Sequence, residues 1–323
     1  MTKRALITGI SGQDGSYLAE LLLSKGYEVV GTSRQSQSTN LDPIEHLLAE
    51  ITLKRCDWKD SSGLIDLLHK HKPDEIYNLA GTTVVPLSWE SPILDTKANS
   101  EGLVRLIEAV RVASPQSRIY QASTSEMFGI ATEAPQNERT PFRPRNPYGV
   151  AKLFAHWMTI NYRERYGLFA VSGILFNHES PRRSAEFVTR KVTRGAARIK
   201  LGLTDKLHLG NLEAQRDWGF AGDYVQAMWR MLQQDEPEDF VIATGLLHSV
   251  RELCEVAFRE VGLDYREYVV EDSRYYRPLE TISLVGDASK AKVMLGWSPT
   301  VSFEQLIKMM VMSDFERLAT NRN

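Results

Sequence analysis

The sequence predicts an α/β fold: a Rossmann-type, doubly wound parallel sheet with a smaller mixed α/β lobe packed on it. Short apolar runs alternate with amphipathic segments through the first half of the chain. Such alternation is typical of a parallel sheet covered by helices on both faces. A glycine-rich turn follows the first apolar run. After Asn177 the pattern loosens and Pro, Arg and Gly become frequent, which indicates a second lobe.

The individual elements follow from local patterns, beginning with the apolar run Ala5-Leu6-Ile7-Thr8, which predicts a buried strand. Residues 17–24 predict a helix because their leucines share one face. By the same reasoning we expect further strands over residues 27–32, 75–79, 118–122, 169–176 and 239–244, and helices over residues 102–110, 250–261 and 302–314.

The length of 323 residues suggests two domains, or one large domain with a lobe built on it. We assign residues 1–176, together with about 221–244, to the domain built on the sheet. Residues from about 177 to 220, together with 245–323, are assigned to the smaller lobe. No internal repeat or low-complexity linker separates them, so the lobe is expected to pack directly on the sheet.

The composition excludes several classes of protein. The net charge of −2 and the pI of about 6.4 argue against a nucleic-acid partner, which needs clustered Lys and Arg. Cys56 and Cys254 are too few for a disulfide scaffold or a Cys-rich zinc site, so no metal is expected. No run reaches the roughly 18 apolar residues of a membrane helix, and no signal peptide is recognised. We therefore expect a cytoplasmic protein without a membrane partner.

The turn after the first strand carries the strongest local motif, with glycines at every third position. Glycine is needed where the chain turns tightly and where a diphosphate approaches the backbone. The helix that follows offers free N–H groups and a partial positive charge to that diphosphate. A glycine-rich turn without a ligand is the alternative. We predict that the turn binds a dinucleotide through Gly9, Ile10, Ser11, Gly12, Gln13, Asp14 and Gly15.

The end of the second strand discriminates between NAD and NADP. NAD sites place an acidic residue there, whereas Gly31-Thr32-Ser33-Arg34 contains none. Arg34 can pair with a 2′-phosphate, so the sequence favours NADP, although an exposed Arg on a loop would look the same. Asp57, with Trp58 beside it, could accept a hydrogen bond from the adenine amino group or be a plain turn residue.

A candidate catalytic group combines Tyr148 and Lys152, four residues apart and therefore on one helix face, with Thr124 at a strand end. The Lys152 ammonium is expected to lower the pKa of the Tyr148 phenol and to hold the nicotinamide ribose. Thr124 can hydrogen-bond the substrate hydroxyl that Tyr148 deprotonates. Ligands of open parallel sheets bind at strand ends, which is where this group would lie.

These residues resemble those of the extended short-chain dehydrogenases/reductases, and further segments are similar to the GDP-mannose 4,6-dehydratase family. The similarity extends over nearly the whole chain, and several segments occur in the same order. They are Gln121-Ala122-Ser123-Thr124-Ser125-Glu126, Asn177-His178-Glu179-Ser180-Pro181-Arg182-Arg183, Phe187-Val188-Thr189-Arg190-Lys191, Arg216-Asp217-Trp218-Gly219 and Arg277-Pro278-Leu279-Glu280.

The resemblance implies a role for Glu126 that a simple reductase does not need. A 4,6-dehydratase must remove the C5 proton and expel the C6 hydroxyl, which takes an additional acid/base beside the sugar. Glu126 follows Thr124 by two residues and reaches the same site if the chain bends there. A solvated, idle Glu at a strand end is the alternative. One carboxyl would act as both base and acid, because Ser125 stands where related dTDP-glucose enzymes have Asp.

The resemblance also implies a GDP-sugar substrate and a set of contact residues. Lys191, Arg216 and Arg277 would meet the diphosphate, and Asn177 and Glu280 would hold hydroxyl or base edges, although surface ion pairs are the commoner fate of Arg. Val188 completes the substrate set. The implied cofactor contacts beyond the glycine turn are Leu79, Ala80, Gly81, Thr83, His178 and Arg183, with Thr83 also facing the hexose.

The loop at Gly81-Thr82-Thr83 departs from the usual Ala-Gln-Ser of the family, so the sugar pocket differs. Four functions stay open at this point. They are a GDP-mannose 4,6-dehydratase, a dehydratase of another GDP-sugar such as a GDP-manno-heptose, a GDP-4-keto-6-deoxy-sugar reductase, and a non-catalytic NADP-binding regulator. The family resemblance also implies a homodimer or homotetramer.

Overall fold

A computed structural model describes residues 2–33, 40–56, 60–275 and 283–320. The predictions for Arg34, Asp57, Trp58, Arg277 and Glu280 therefore lie outside the described residues. The strands are β1 (Arg4–Thr8), β2 (Glu28–Ser33), β3 (Thr52–Arg55), β4 (Glu75–Asn78), β5 (Arg118–Thr124), β6 (Ala170–Leu175), β7 (Asn177–Glu179), β8 (Leu207–Leu209), β9 (Gln215–Arg216), β10 (Trp218–Phe220), β11 (Phe240–Ile242), β12 (His248–Ser249) and β13 (Val269–Glu271).

Helices fill most of the remaining described chain. The α-helices are α1 (Gln13–Ser24), α2 (Ser61–His71), α3 (Val85–Glu90), α4 (Pro92–Thr96), α5 (Gly102–Ala113), α6 (Pro147–Tyr166), α7 (Val188–Lys200), α8 (Ala221–Met231), α9 (Val250–Glu260), α10 (Tyr265–Tyr268), α11 (Ser289–Leu295) and α12 (Phe303–Thr320). A π-helical turn (Lys97–Glu101) joins α4 to α5, and short 3₁₀ turns occupy Asp42–Leu47, Ser125–Met127 and Ser273–Tyr275. Across these ranges we find no helix both long and apolar enough to span a membrane.

The central sheet confirms the predicted fold class. Its seven strands run parallel in the order β3-β2-β1-β4-β5-β6-β11. Ala5 of β1 pairs with Val29 on one side and Glu75 on the other, so the strand order reverses direction at β1 and β4. A crevice forms outside the strand ends at such a reversal, and ligands of this fold bind there.

Alternation along β1 explains how the sheet buries both faces. Successive side chains point to opposite sides. Ile7 therefore packs with α1 and α8, whereas Leu6 packs with α2 and α5. A separate apolar cluster joins α7, α9 and α12 around residues such as Val192, Leu253 and Met310. The residue bounds that we assigned to the two units stay a prediction.

Three helices illustrate how the structure differs from the sequence prediction. α1 begins at Gln13, four residues earlier than predicted, because the glycine turn itself leads into the helix. α12 continues to Thr320. α7 was not predicted as a helix. Its small and apolar residues Val192, Ala196 and Ile199 recur at helical spacing and are buried, but Arg and Lys between them obscure the pattern.

Candidate active site

The turn between β1 and α1 depends on two glycines that no larger residue can replace. Gly9 has φ of +68°, which L side chains rarely adopt, and a Cβ there would stand 3.0 Å from Ala80 Cα. A Cβ on Gly15 would lie 2.4 Å from the Gly9 carbonyl oxygen. The turn therefore packs tightly on itself and on the loop after β4, as dinucleotide-binding turns do.

The predicted cofactor residues that the structure describes meet at one crevice. Thr8 Oγ1 accepts hydrogen bonds from the backbone N–H groups of Leu79 and Ala80, at 3.0 and 2.9 Å, which fixes the loop after β4 beside the glycine turn. A cavity of about 780 Å³ opens at this point. Its lining includes Ser11, Gly12, Gln13, Thr83, Arg182, Arg183 and Arg317. A cavity that is lined by residues of the glycine turn and by arginine side chains fits an anionic dinucleotide.

A partly buried histidine–aspartate pair joins the glycine turn to β7. His178 Nε2 lies 2.8 Å from Asp14 Oδ2, and His178 Nδ1 donates to the Phe176 carbonyl at 2.8 Å. Burial alone would lower the pKa of His178, but the Asp14 carboxylate outweighs it and raises that pKa. Likewise, burial would raise the pKa of Asp14, but His178 lowers it. Asp14 and His178, both predicted as cofactor contacts, thus form a hydrogen-bonded pair beside the cofactor cavity.

Tyr148 and Lys152 are positioned by the first turns of α6 against the end of β5. Asn146 caps the helix and Pro147 occupies its first position. The Tyr148 phenol is hydrogen-bonded to the Thr124 side chain. Lys152 Nζ donates to the Ala122 carbonyl at 3.1 Å. The structure therefore brings together the three residues that the sequence grouped.

The pKa of Tyr148 is raised in this structure, whereas the sequence analysis expected Lys152 to lower it. Tyr148 is only 7% exposed, and burial raises the pKa of its phenol well above the ordinary value, against a smaller lowering by the Thr124 hydrogen bond. Lys152 is also buried, which lowers its pKa to about 8. Its Nζ stands 5.9 Å from the centre of the Tyr148 ring. Burial is the largest influence on the pKa of each of the two groups.

Glu126 lies in the same site because the chain turns directly after β5. The 3₁₀ turn Ser125–Met127 begins at Thr124, whose Oγ1 accepts from the Glu126 N–H at 3.3 Å. The Glu126 carboxylate interacts electrostatically with the Tyr148 phenol and raises its pKa further. The bend that the sequence argument required is present, and the carboxylate is half-buried.

Asn146 is a site residue that the sequence analysis did not single out. Its Nδ2 donates to Glu126 Oε2 at 2.7 Å, while its Oδ1 accepts from the Gly149 N–H, also at 2.7 Å. One amide therefore caps α6 and holds the candidate acid/base. The signal was available, since Asn before Pro is a common helix start. What the sequence does not show is that the other end of this amide reaches Glu126.

We expect Asn146→Ala to lower both stability and turnover. Loss of the cap should cost about 1 kcal/mol, and the freed Glu126 carboxylate should lower kcat about tenfold. Asn146→Asp keeps the cap and sets a like charge against Glu126, so it should restore the melting temperature without restoring kcat. Calorimetry and product assays on both variants measure this. Equal kcat in wild type and both variants would contradict a positioning role for Asn146.

The predicted substrate residues lie on several elements of the smaller lobe. Val188 and Lys191 occupy the first turn of α7, with Lys191 Nζ 4.2 Å above the Tyr275 ring, and Arg216 lies in β9. Asn177 of β7 pairs with Trp218 of β10, so it lies beside the segment that carries Arg216. Burial lowers the pKa of Lys191. The described residues thus place cationic groups on α7 and β9.

The middle residues of the Arg216–Gly219 segment are structural. Asp217 is buried and accepts hydrogen bonds from the N–H groups of Thr244, Gly245 and Gly286, which joins β10 to the chain after β11. Trp218 is buried in the apolar cluster of α7, α9 and α12. Among the residues that the structure describes, no group of three or more His, Cys, Asp or Glu side chains could hold a metal ion.

A tyrosine and lysine on α6, facing a threonine at the end of β5 and a glycine turn after β1, are the arrangement of the extended short-chain dehydrogenases/reductases. The fold is similar to the UDP-glucose 4-epimerase of Thermus thermophilus, with a TM-score of 0.83 and 26% identity, covering 96% of this chain and 98% of that one. It is also similar in fold to DesIV, a dTDP-glucose 4,6-dehydratase of Streptomyces venezuelae, with a TM-score of 0.86 and 23% identity, covering 98% of each chain.

The sequence comparisons narrow the class. The family model described as GDP-mannose 4,6 dehydratase matches residues 6–310. GDP-mannose 4,6 dehydratase 2 of Arabidopsis thaliana is 54% identical, covering 97% of this chain and 87% of the relative. The human GDP-mannose 4,6 dehydratase is 49% identical, covering 99% and 93%. This chain belongs to the GDP-mannose 4,6-dehydratase family.

Proposed function

We infer that this protein is a GDP-mannose 4,6-dehydratase, a hydro-lyase that converts GDP-D-mannose into GDP-4-keto-6-deoxy-D-mannose with NADP as its cofactor. Family membership at about half identity over nearly the whole chain supports the substrate. The observation that carries the chemistry is the Glu126 carboxylate, held by Asn146 beside the Thr124–Tyr148 pair. A simple reductase has no use for a carboxylate in that position.

We assign the proton transfers to three side chains. Tyr148, with Thr124 sharing its hydrogen bond, takes the proton from the O4 hydroxyl of the hexose. NADP⁺, held by the turn from Gly9 to Gly15, would supply the acceptor for the C4 hydride and the donor that returns this hydride to C6. Glu126 takes the C5 proton, which the C4 ketone acidifies, and then donates that proton to the departing C6 hydroxyl, so that water leaves. When hydride adds to C6, the proton that Tyr148 took from O4 is released to restore the hydrogen at C5, which completes the product and regenerates both side chains. Lys152 holds the ribose hydroxyls and places positive charge near the phenol.

The cofactor contacts that we propose line one crevice. Gly9 to Gly15 would cradle the diphosphate at the start of α1, and Leu79, Ala80, Gly81 and Thr83 would lie along the nicotinamide side. His178 and Arg183 close the crevice, since Arg183 lines the cavity and His178 pairs with Asp14. Arg34 stays the proposed partner of the 2′-phosphate and Asp57 with Trp58 the proposed adenine contacts.

The GDP-sugar would lie across the smaller lobe. Lys191 and Arg216 supply positive charge to its diphosphate, Arg277 adds to them, and Asn177, Val188 and Glu280 hold the base and hydroxyl edges. Thr83 is the residue of the altered loop that lines the cavity, so it faces the hexose. Thr82 instead hydrogen-bonds to Asp95, inside the protein.

Incubating the purified protein with GDP-mannose and NADP, without added reductant, tests this function. A dehydratase forms a 4-keto-6-deoxy sugar with no net change in NADPH, whereas a reductase consumes NADPH only when given a keto sugar. A parallel incubation with GDP-manno-heptose identifies a relative with a different sugar. If neither GDP-sugar loses water, the assignment is wrong.

We also propose that the protein is cytoplasmic and forms a homodimer through α6. Both cysteines of the chain are buried thiols, as expected in a reducing compartment. Val150, Phe154 and Trp157 are each about half exposed and recur along one face of α6. Beside them an apolar cavity of about 670 Å³ is shared with α5. Exposed apolar side chains at helical spacing are typical of a helix that pairs with another copy.

Phe154→Asp should convert the dimer to a monomer, because it places a charge at the centre of this face. Sedimentation equilibrium should give twice the chain mass of 36.6 kDa for the wild type and the mass of one chain for the variant. Val293→Asp, on α11, changes an even more exposed apolar residue elsewhere and serves as the control. A monomeric wild type would refute the proposed dimer.

A further inference from the structure

The altered loop after β4 shares a buried polar cluster with α4. Asp95 is only 3% exposed, although it is a carboxylate on a helix of five residues. Its Oδ1 accepts from the Thr82 hydroxyl and from Asn99 Nδ2, the latter at 3.1 Å. Asn99 Nδ2 also donates to the Thr82 backbone carbonyl at 3.1 Å. The cluster therefore holds Thr82, one of the three loop residues at which this sequence departs from the family pattern.

Two acceptors of this cluster have no hydrogen-bond partner among the residues that the structure describes. Asp95 Oδ2 and Asn99 Oδ1 are both buried and unsatisfied. A buried, unpaired acceptor costs free energy, so a nearby donor or positive charge is expected. The Asp95 carboxylate cannot be neutralised by Thr82 and Asn99, because both are uncharged.

Lys152 supplies the matching excess of donors. It is 4% exposed, carries three N–H groups and donates to the Ala122 carbonyl. Gly81 separates it from the cluster: a Cβ on Gly81 would lie 2.4 Å from Asn99 Oδ1 and 3.7 Å from Lys152 Nζ. The unsatisfied amide oxygen and Lys152 Nζ thus both border the space that a side chain on Gly81 would fill.

We propose that Asp95, acting with Asn99 across Gly81, is a positioning residue that keeps the Lys152 ammonium charged in its buried site. The proposal deepens the proposed function, since it concerns the same catalytic lysine. Burial is the main influence on the Lys152 pKa and lowers it to about 8, and Asp95 is the foremost group that opposes this lowering. Asp14 of α1 opposes it as well, and Tyr148 lies one turn away on α6. The pKa of that tyrosine is influenced by Thr124, Glu126, Arg183 and Asp95.

The physical consequence is a pH limit. Lys152 can hold ribose hydroxyls and assist Tyr148 only while it is protonated, so kcat/KM of the wild type should fall above about pH 8. Without the Asp95 charge, the Lys152 pKa should fall by about one unit. At pH 8 the charged fraction, and with it kcat/KM, would then drop about fivefold, while the loss at pH 6 would be small.

The test compares Asp95→Asn, Asp95→Glu and Glu101→Gln with the wild type. Glu101 is an exposed carboxylate in the adjoining π turn and provides the control. The alkaline limb of kcat/KM should move down by about one pH unit in Asp95→Asn, stay in place in Glu101→Gln, and be largely recovered in Asp95→Glu. In parallel, the ¹³Cε resonance of Lys152, assigned by its loss in Lys152→Arg, should titrate at a correspondingly lower pH in Asp95→Asn.

Two results would overturn the proposal. One is a Lys152 resonance that titrates at the same pH in Asp95→Asn and wild type. The other is an activity loss in Asp95→Asn that is equal at every pH and accompanied by a lower melting temperature, which would mark Asp95 as purely structural. The resonance titration needs no turnover. It therefore decides this proposal even if GDP-mannose proves not to be the substrate.

Discussion

Glu126→Gln should lower kcat for loss of water about 10³-fold, because the amide can neither take the C5 proton nor return it to the C6 oxygen. The substitution is isosteric and keeps an oxygen that can accept from Asn146 Nδ2, so the local structure should persist. The affinity for GDP-mannose should stay within about twofold of the wild type. Formation of the 4-keto-6-deoxy product gives kcat, and calorimetric titration gives the affinity.

The reaction catalysed by the Glu126→Gln variant should also stop after oxidation at C4. Oxidation at C4 does not require Glu126, so a transient reduction of the bound cofactor should remain visible after mixing with substrate. Exchange of the C5 hydrogen with D₂O should disappear. Glu164→Gln, which neutralises an exposed carboxylate on α6, is the matched control and should retain normal turnover. Normal turnover or normal C5 exchange in Glu126→Gln would show that another group is the base.

Sequence periodicity was sufficient for the sheet and for the grouping of the catalytic residues. The short apolar runs of β1, β5 and β6 predicted strands, and strands form there. The Tyr148–Lys152 spacing places both side chains on one face of α6. The position of Glu126 followed from chemistry together with the family resemblance, and the turn at Ser125–Met127 is what brings it there. These features depend on spacing along the chain, which a sequence displays directly.

Long-range polar contacts were beyond the sequence. Asp95 and Thr82 meet because α4 packs beside the loop after β4. The residue pattern of neither segment predicts this contact. The error over the Tyr148 pKa has the same origin. Proximity of a lysine is readable at four-residue spacing, but the depth of burial that raises the phenol pKa depends on the assembled sheet, the helix and the smaller lobe.

Tyr148→Phe should lower kcat by about 10³-fold, comparable to Glu126→Gln, but by blocking an earlier step. Removal of the O4 proton must accompany oxidation at C4, so this variant should show no transient reduction of the bound cofactor. C5 exchange should also be lost, because no C4 ketone forms to acidify that carbon. Rapid mixing with absorbance detection separates the two variants: one shows the transient and the other does not.

The phenol hydroxyl interacts with the Thr124 side chain, so its removal should change stability little beyond about 1 kcal/mol. Tyr162→Phe is the matched control, because Tyr162 lies on α6 like Tyr148 and its hydroxyl donates to Glu108 of α5. Removal of this hydroxyl should leave kcat unchanged. A Tyr148→Phe variant that still exchanges C5 hydrogen with solvent would place the first proton transfer on another group. Thr124 would then be the nearest candidate, because it lies within hydrogen-bond reach of the same position.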